Sequence, residues 1–143
     1  MKKLLAVLLL LVTVFVTTAA LSSCAGKVDS DSIWEKAVYK TDTAFGNGEK
    51  TVSVNVKVGD KSVIFTIKTD KNTLGDAMTE HGLIAGDKSE YGLYLKTVNG
   101  ITADYDKDGA YWSFNDGNGA MMPVGVDGAE IKDGEKYELV YTK

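Results

Sequence analysis

Val52, Val54, Val56 and Val58 alternate with Ser53, Asn55 and Lys57, and Val63, Phe65 and Ile67 resume the alternation beyond Gly59-Asp60. A period of two is the mark of a strand with one face buried and one face wet. Gly59-Asp60 between two such runs reads as a hairpin turn. The chain therefore builds at least part of its core against one side of an antiparallel ribbon.

The pattern changes after Thr73. Leu74, Ala77 and Met78 form one apolar stripe at helical spacing. Thr73 can cap that helix, with Asp76 at the third position. Gly82 suits a left-handed stop, and Leu83 is placed to fold back on the last turn. A short helix from Thr73 to His81 follows. Strands resume at Gly92 to Val98, and Asn99-Gly100 is a strong hairpin signal leading into Ile101 to Ala103. Ala110 to Phe114 reads as a further strand. Asp133-Gly134 turns the chain before Tyr137, Leu139 and Tyr141 close it. Strands, one helix and more strands make an α+β order, mainly antiparallel, with the helix packed on the sheet.

The N-terminus carries an address. Met1-Lys2-Lys3, an apolar run from Leu4 to Val16, and Leu21-Ser22-Ser23-Cys24 have the order of a secretory signal over residues 1–23. The segment is short for a permanent membrane span. Cys24 stands where a bacterial lipobox places its lipidated thiol, so the expectation is a domain anchored by acyl chains to the extracytoplasmic side of the cell membrane. Residues 24–32 read as lipidated Cys and flexible tether, the tether from Ala25 to Ser32 reaching about 26 Å at roughly 3.3 Å per residue. Residues 33–50 form an N-terminal extension, with Ile33 to Tyr39 a first strand or a segment packing on the edge of the domain. A turn is expected at Phe45 to Glu49. Residues 51–143 form the domain proper.

Composition narrows the partners. The chain has 16 Lys+Arg against 20 Asp+Glu, and every one of the 16 is Lys. Loss of Lys2 and Lys3 with the signal leaves 14 against 20. An acidic surface without the planar Arg fork speaks against nucleic acid. The single Cys leaves no disulfide to form once it is lipidated.

Reactive constellations are sparse, and no catalytic residue is expected. Asp104, Asp106 and Asp108, followed by Gly109, resemble the opening of a calcium loop, but Asn115 stands at the twelfth position and no helices flank it. A solvated turn is the better reading, with weak calcium binding left open. His81, the only histidine, closes the helix and complements its dipole. A hydrolase using His81 would need a nucleophile and an orienting carboxylate that no motif supplies. What remains is aromatic: Tyr111-Trp112-Ser113-Phe114, then a Gly-rich loop bearing Met121 and Met122. Alternation puts Trp112 and Phe114 on one face and Tyr111 on the other. One reading makes the cluster a ligand wall; the other makes it core.

Thr73-Leu74-Gly75-Asp76-Ala77-Met78, Tyr91-Gly92-Leu93-Tyr94, Thr97-Val98-Asn99-Gly100, Tyr111-Trp112-Ser113-Phe114 and Gly125-Val126 together resemble the C-terminal domain of transcobalamin and intrinsic factor. They are more similar still to a bacterial domain of unknown function grouped with it and found on Gram-positive lipoproteins. The resemblance covers about residues 51–143. It implies a small β-grasp-like fold and a non-enzymatic domain that covers one face of a corrinoid such as cobalamin. The matching ligand-side positions are Tyr111, Trp112, Phe114, Met121, Met122 and Gly125. No cofactor is required, with cobalamin a candidate ligand and an envelope or transporter protein a candidate partner. Two departures stand out: the helical barrel opposite this domain has no counterpart here, and Asn115 to Gly119 lacks an aromatic. Covering one ligand face of about 300 Å² at about 25 cal/mol/Å² gives about 7 kcal/mol gross, and association costs about 4 kcal/mol or more. A lone half-clamp therefore binds in the millimolar range and needs a partner or a second copy. The alternative from another class is a structural or adhesive module of the envelope, contacting proteins through a strand edge.

Overall fold

The computed structural model describes residues 29–143, so the signal sequence and Cys24 lie outside the described residues. Among the described residues no helix is long and apolar enough to cross a membrane.

The expected hairpin is the centre of the fold. β2 (Lys50–Val58) and β3 (Lys61–Thr69) pair in antiparallel register, Val54 opposite Phe65 and Val56 opposite Val63. All four valines of β2, with Phe65 and Ile67, are fully buried. β1 (Thr43–Gly46) lies parallel to β3, and β8 (Lys136–Thr142) lies parallel to β2. β7 (Tyr111–Asp116) closes the other edge antiparallel to β8. The strand order is β1-β3-β2-β8-β7. This sheet is mixed, because β1 runs parallel to β3 and the closing strand returns parallel beside β2, a feature that local alternation does not encode.

A second, antiparallel sheet holds β4 (Ile84–Ser89), β5 (Gly92–Val98) and β6 (Ile101–Thr102) in that order. β4 escaped the sequence reading: only Ile84 of its six residues is buried, so it shows no alternation. Asn99 (φ 51°) and Gly100 (φ 78°) turn β5 into β6 as the hairpin signal requires. The molecule is mostly β, with two sheets and a few short helices.

The helix expected over Thr73 to His81 is present as Leu74–Glu80 and completes one side of the core. The Thr73 hydroxyl accepts from the Asp76 amide at 3.2 Å, and the Leu83 amide returns to the Met78 carbonyl at 3.0 Å past left-handed Gly82. Leu74, Ala77 and Met78 are fully buried.

The N-terminal segment differs from expectation. Ser30–Trp34 is a helix, α1, capped by Asp29, so the end of the expected tether is ordered against the domain. The helix just described is accordingly α2. Trp34 and Ala37 enter the core, and Ile33 to Tyr39 is not a strand but a packed edge segment. Phe45-Gly46, expected as a turn, ends β1; the Phe45 ring meets Tyr39 and Phe65 edge-on at 5.2 and 5.5 Å. Residues 33–50 thus share one core with the rest. Tyr105–Asp108 is a single helical turn, α3, stopped by Gly109 at φ 71°.

Candidate functional site

Trp112 and Phe114 face inward from β7. Trp112 is 6% exposed, its indole Nε1 donates to the Ile101 carbonyl at 3.2 Å, and its ring meets Tyr141 edge-on at 5.6 Å. Phe114 is 9% exposed and tilts against Tyr137 at 5.6 Å. The alternation assigned these two rings to one face correctly, and that face is the core. They join the two sheets and are not an open ligand wall. Tyr111, on the other face, is exposed beside Tyr105, their centroids 6.5 Å apart.

The loop after β7 behaves differently. The Asp116 carboxylate accepts from the amides of Asn118 (2.8 Å) and Ala120 (3.0 Å), folding the chain sharply back. Met121 then bridges to Asn115, and the Met122 amide donates to the Phe114 carbonyl at 2.9 Å. This anchoring splits the two methionines: Met122 packs on the core while Met121 is held 70% exposed. Val124 is also exposed. Gly125, exposed and with open space about it, starts the 3-10 turn Val126–Gly128. Asp127 in that turn accepts from the Leu93 amide at 3.1 Å, which brings the loop beside the β4–β5 hairpin and its exposed Tyr91. The result is an exposed apolar pair, Met121 and Val124, on a loop whose backbone is tied to β7 at one end and, through Asp127, to β5 at the other.

The same loop borders an open cleft of about 420 Å³, its lining including Asp116, Met122, Glu130, Glu135, Lys136 and Tyr137. Tyr137 donates its hydroxyl hydrogen to Glu135. Burial, then the adjacent carboxylate, pushes the Tyr137 phenol far above its usual range. The same hydrogen bond holds the Glu135 carboxyl below the usual carboxylate range, aided by the Lys132 amide and opposed by desolvation. A neutral phenol locked to an ionised carboxylate orients groups; it is no proton shuttle at neutral pH.

The other sequence candidates serve local structure. Asp104 caps α3 through the Asp106 amide, and Asp108 accepts from the Ala110 amide at 3.0 Å, so two of the three aspartates bind their own backbone. Among the described residues no group of three His, Cys, Asp or Glu could hold a metal ion. His81 stacks on Phe45 at 5.4 Å beside a separate cleft that includes Lys68, Asp70 and Glu80, with its buried Nε2 unpartnered. Thr69 is the one hydroxyl among the residues that line it, and it accepts from the Lys71 amide. Val124 and Tyr91 were missed by the sequence reading. Neither sits in an alternating run, and only the Asp127–Leu93 contact joins the segments that carry them.

Comparison with known proteins places this geometry. The family described as Domain of unknown function (DUF4430) matches residues 71–143, from the approach to α2 through β8. A crystal structure of a candidate metal-binding protein from Ruminococcus gnavus ATCC 29149 is 31% identical with a TM-score of 0.61, covering 66% of this chain and 98% of that one. Haptocorrin in complex with Cbi is 18% identical with a TM-score of 0.56, covering 69% of this chain and 26% of that one. That identity shows the fold alone, which is transcobalamin-like, and the match spans about a quarter of the haptocorrin chain. No curated protein matches the chain. With a family model fitted to half its length and a solved relative covered almost end to end, the chain belongs to the DUF4430 family.

Proposed function

We propose that this chain is a lipid-anchored, extracytoplasmic, non-enzymatic binding domain that covers one face of a flat corrinoid-type ligand together with an envelope partner. The observation that carries the reading is the pair of Met121 and Val124, held out to solvent by backbone pinned to β7 and to β5. A fixed backbone leaves only side-chain freedom to be lost on binding, and the flexible thioether of Met121 adapts to an irregular surface at that cost. The transcobalamin-like fold supports the ligand class. The strand order β3-β2-β8-β7, with the two central strands parallel, supports the β-grasp reading. The Leu21-Ser22-Ser23-Cys24 sequence supports the anchor. With Trp112 and Phe114 in the core, the contact is smaller than an open aromatic wall would offer, so dependence on a partner becomes stronger.

The adhesive reading has less support. β1 offers only four residues of free edge, and the far end of β7 is covered by Met121. The longer edge is β4 of the three-stranded sheet, six residues long, and strand addition there is the form this reading would take.

The test is a titration of the full-length ¹⁵N-labelled chain in detergent with cobalamin. Shifts at Met121, Val124 and Gly125, lost in Met121→Ser/Val124→Ser, are expected. No shift at millimolar cobalamin removes the corrinoid reading.

A further inference from the structure

We propose that the outer face of the five-stranded sheet carries a second site, for a sugar ring bearing an acetamido group, seated over Asn55. The strand register lines up Ile64, Asn55, Glu138 and Asn115 in one row across β3, β2, β8 and β7. The flanking rows bring Ser53 and Thr66 on one side and Ser113 on the other. These side chains point away from the core, and each is partly or fully exposed. The lining of a hollow of about 210 Å³ in this face includes Ser53, Asn55, Ile64, Lys136 and Glu138.

Asn55 is the anomaly. Its side-chain oxygen is buried and has no hydrogen-bond partner. Buried polar groups are normally paired, and an exception calls for a reason. The terminal torsion of Asn is broad, so a modest turn of the amide presents its oxygen or its nitrogen to the hollow.

The chemistry around Asn55 selects the occupant. Glu138 is the one acid in the lining and is paired with Lys57, so the hollow offers no acidic surplus to hold a cation. A carboxylate, an amide and a hydroxyl set side by side at strand spacing match the hydroxyl array of a pyranose ring. An acetamido N–H supplies the donor that the Asn55 oxygen lacks. Ile64, 41% exposed directly across from Asn55, receives the acetyl methyl. This site does not depend on the corrinoid reading: it shares Lys136 and Tyr137 with the cleft lined by Met122, but Ser53, Asn55 and Ile64 line this hollow and not that cleft, so shifts there tell the two apart.

The test uses the full-length ¹⁵N-labelled chain in detergent, titrated separately with N-acetylglucosamine and glucose. N-acetylglucosamine is expected to shift Ser53, Asn55, Ile64 and Glu138 at millimolar concentration, leaving Met121 and Val124 unmoved, with glucose at least about tenfold weaker. Asn55→Val is expected to weaken binding about tenfold or more while raising the Tm, since it removes an unpaired polar atom and favours a strand. A merely structural Asn55 would lower the Tm when replaced. No shift with N-acetylglucosamine, equal response to glucose, unchanged binding in Asn55→Val, or a lowered Tm in that variant would each overturn the proposal.

Discussion

Replacing Asn99 tests how the N-terminal segment is held to the domain. Asn99 is 1% exposed and sits at φ 51°, where a residue other than Gly or Asn is strained. Its side-chain oxygen accepts from the Tyr39 amide at 2.8 Å, and its side-chain nitrogen donates to the Tyr39 carbonyl at 2.8 Å. Its backbone carbonyl accepts from the Val38 amide at 3.0 Å, while its own amide donates to Leu83 at 2.8 Å. One side chain thus imitates a strand partner for Tyr39. Asn99→Ala removes both side-chain bonds, each worth about 1 kcal/mol net, and part-burial of the Tyr39 groups adds roughly half as much again. Holding Ala in the left-handed region adds about 1 kcal/mol. The expected loss is about 3–4 kcal/mol, a large part of the roughly 5–15 kcal/mol of a domain. Asn99→Gly loses the same bonds without the backbone strain and should cost about 1 kcal/mol less than Ala. Urea unfolding gives the totals, and hydrogen exchange at the Val38 and Tyr39 amides localises them. An Ala variant within about 1 kcal/mol of wild type, or one more stable than the Gly variant, would refute the reasoning.

Two further outcomes follow from the hydrogen-bond inventory. In Tyr137→Phe, Glu135 loses the contact that most lowers its carboxyl, and that contribution is present above the ordinary carboxylate range and lost as pH falls through the lowered value. The Tm gap between wild type and variant should therefore close on acidification. The raised Tyr137 phenol works in the opposite direction: wild-type stability should fall as pH rises beyond the ordinary phenol value of 10.0, and a gap flat in pH contradicts both halves. Asp104→Ala should cost about 1 kcal/mol as the loss of a helix cap, equally with and without calcium. A calcium-dependent rise in Tm that the variant abolishes would instead make the acidic run a metal loop.

Local periodicity carried the reading of β2, β3 and α2, because each has a buried stripe set by its own residues. It failed wherever burial is decided by distant chain. β4 buries only Ile84, so nothing in Ala85 to Ser89 marks it. Phe45-Gly46 reads as a turn because left-handed Gly46 is there, yet Phe45 belongs to a strand whose partner, Ile67, lies beyond a full hairpin. The parallel pairing of β2 with β8 joins segments more than eighty residues apart, and no spacing rule announces it. Ser30 to Ser32 looked like tether because small polar residues also make good helix starts, as the Asp29 cap shows.

The site was legible only to the extent that its faces were. Alternation sorts Trp112 and Phe114 from Tyr111, but a face becomes inner or outer only when a second layer settles on one side. Here the second layer is the β4–β6 sheet, and the indole of Trp112 is bonded to its last strand at Ile101. A large ring with a single N–H is well suited to that seam, since burial rewards its area and one carbonyl satisfies its only donor. The loop that follows has the reverse economy of area: Asp116, Asn115 and Phe114 satisfy its backbone, so Met121 is not needed for packing and stays in water. Met121 is thereby held 70% exposed on a backbone tied to β7, available to a partner surface. Aromatic density therefore pointed to the stability of this domain, and the proposed ligand contact falls to the plainer Gly-Met loop.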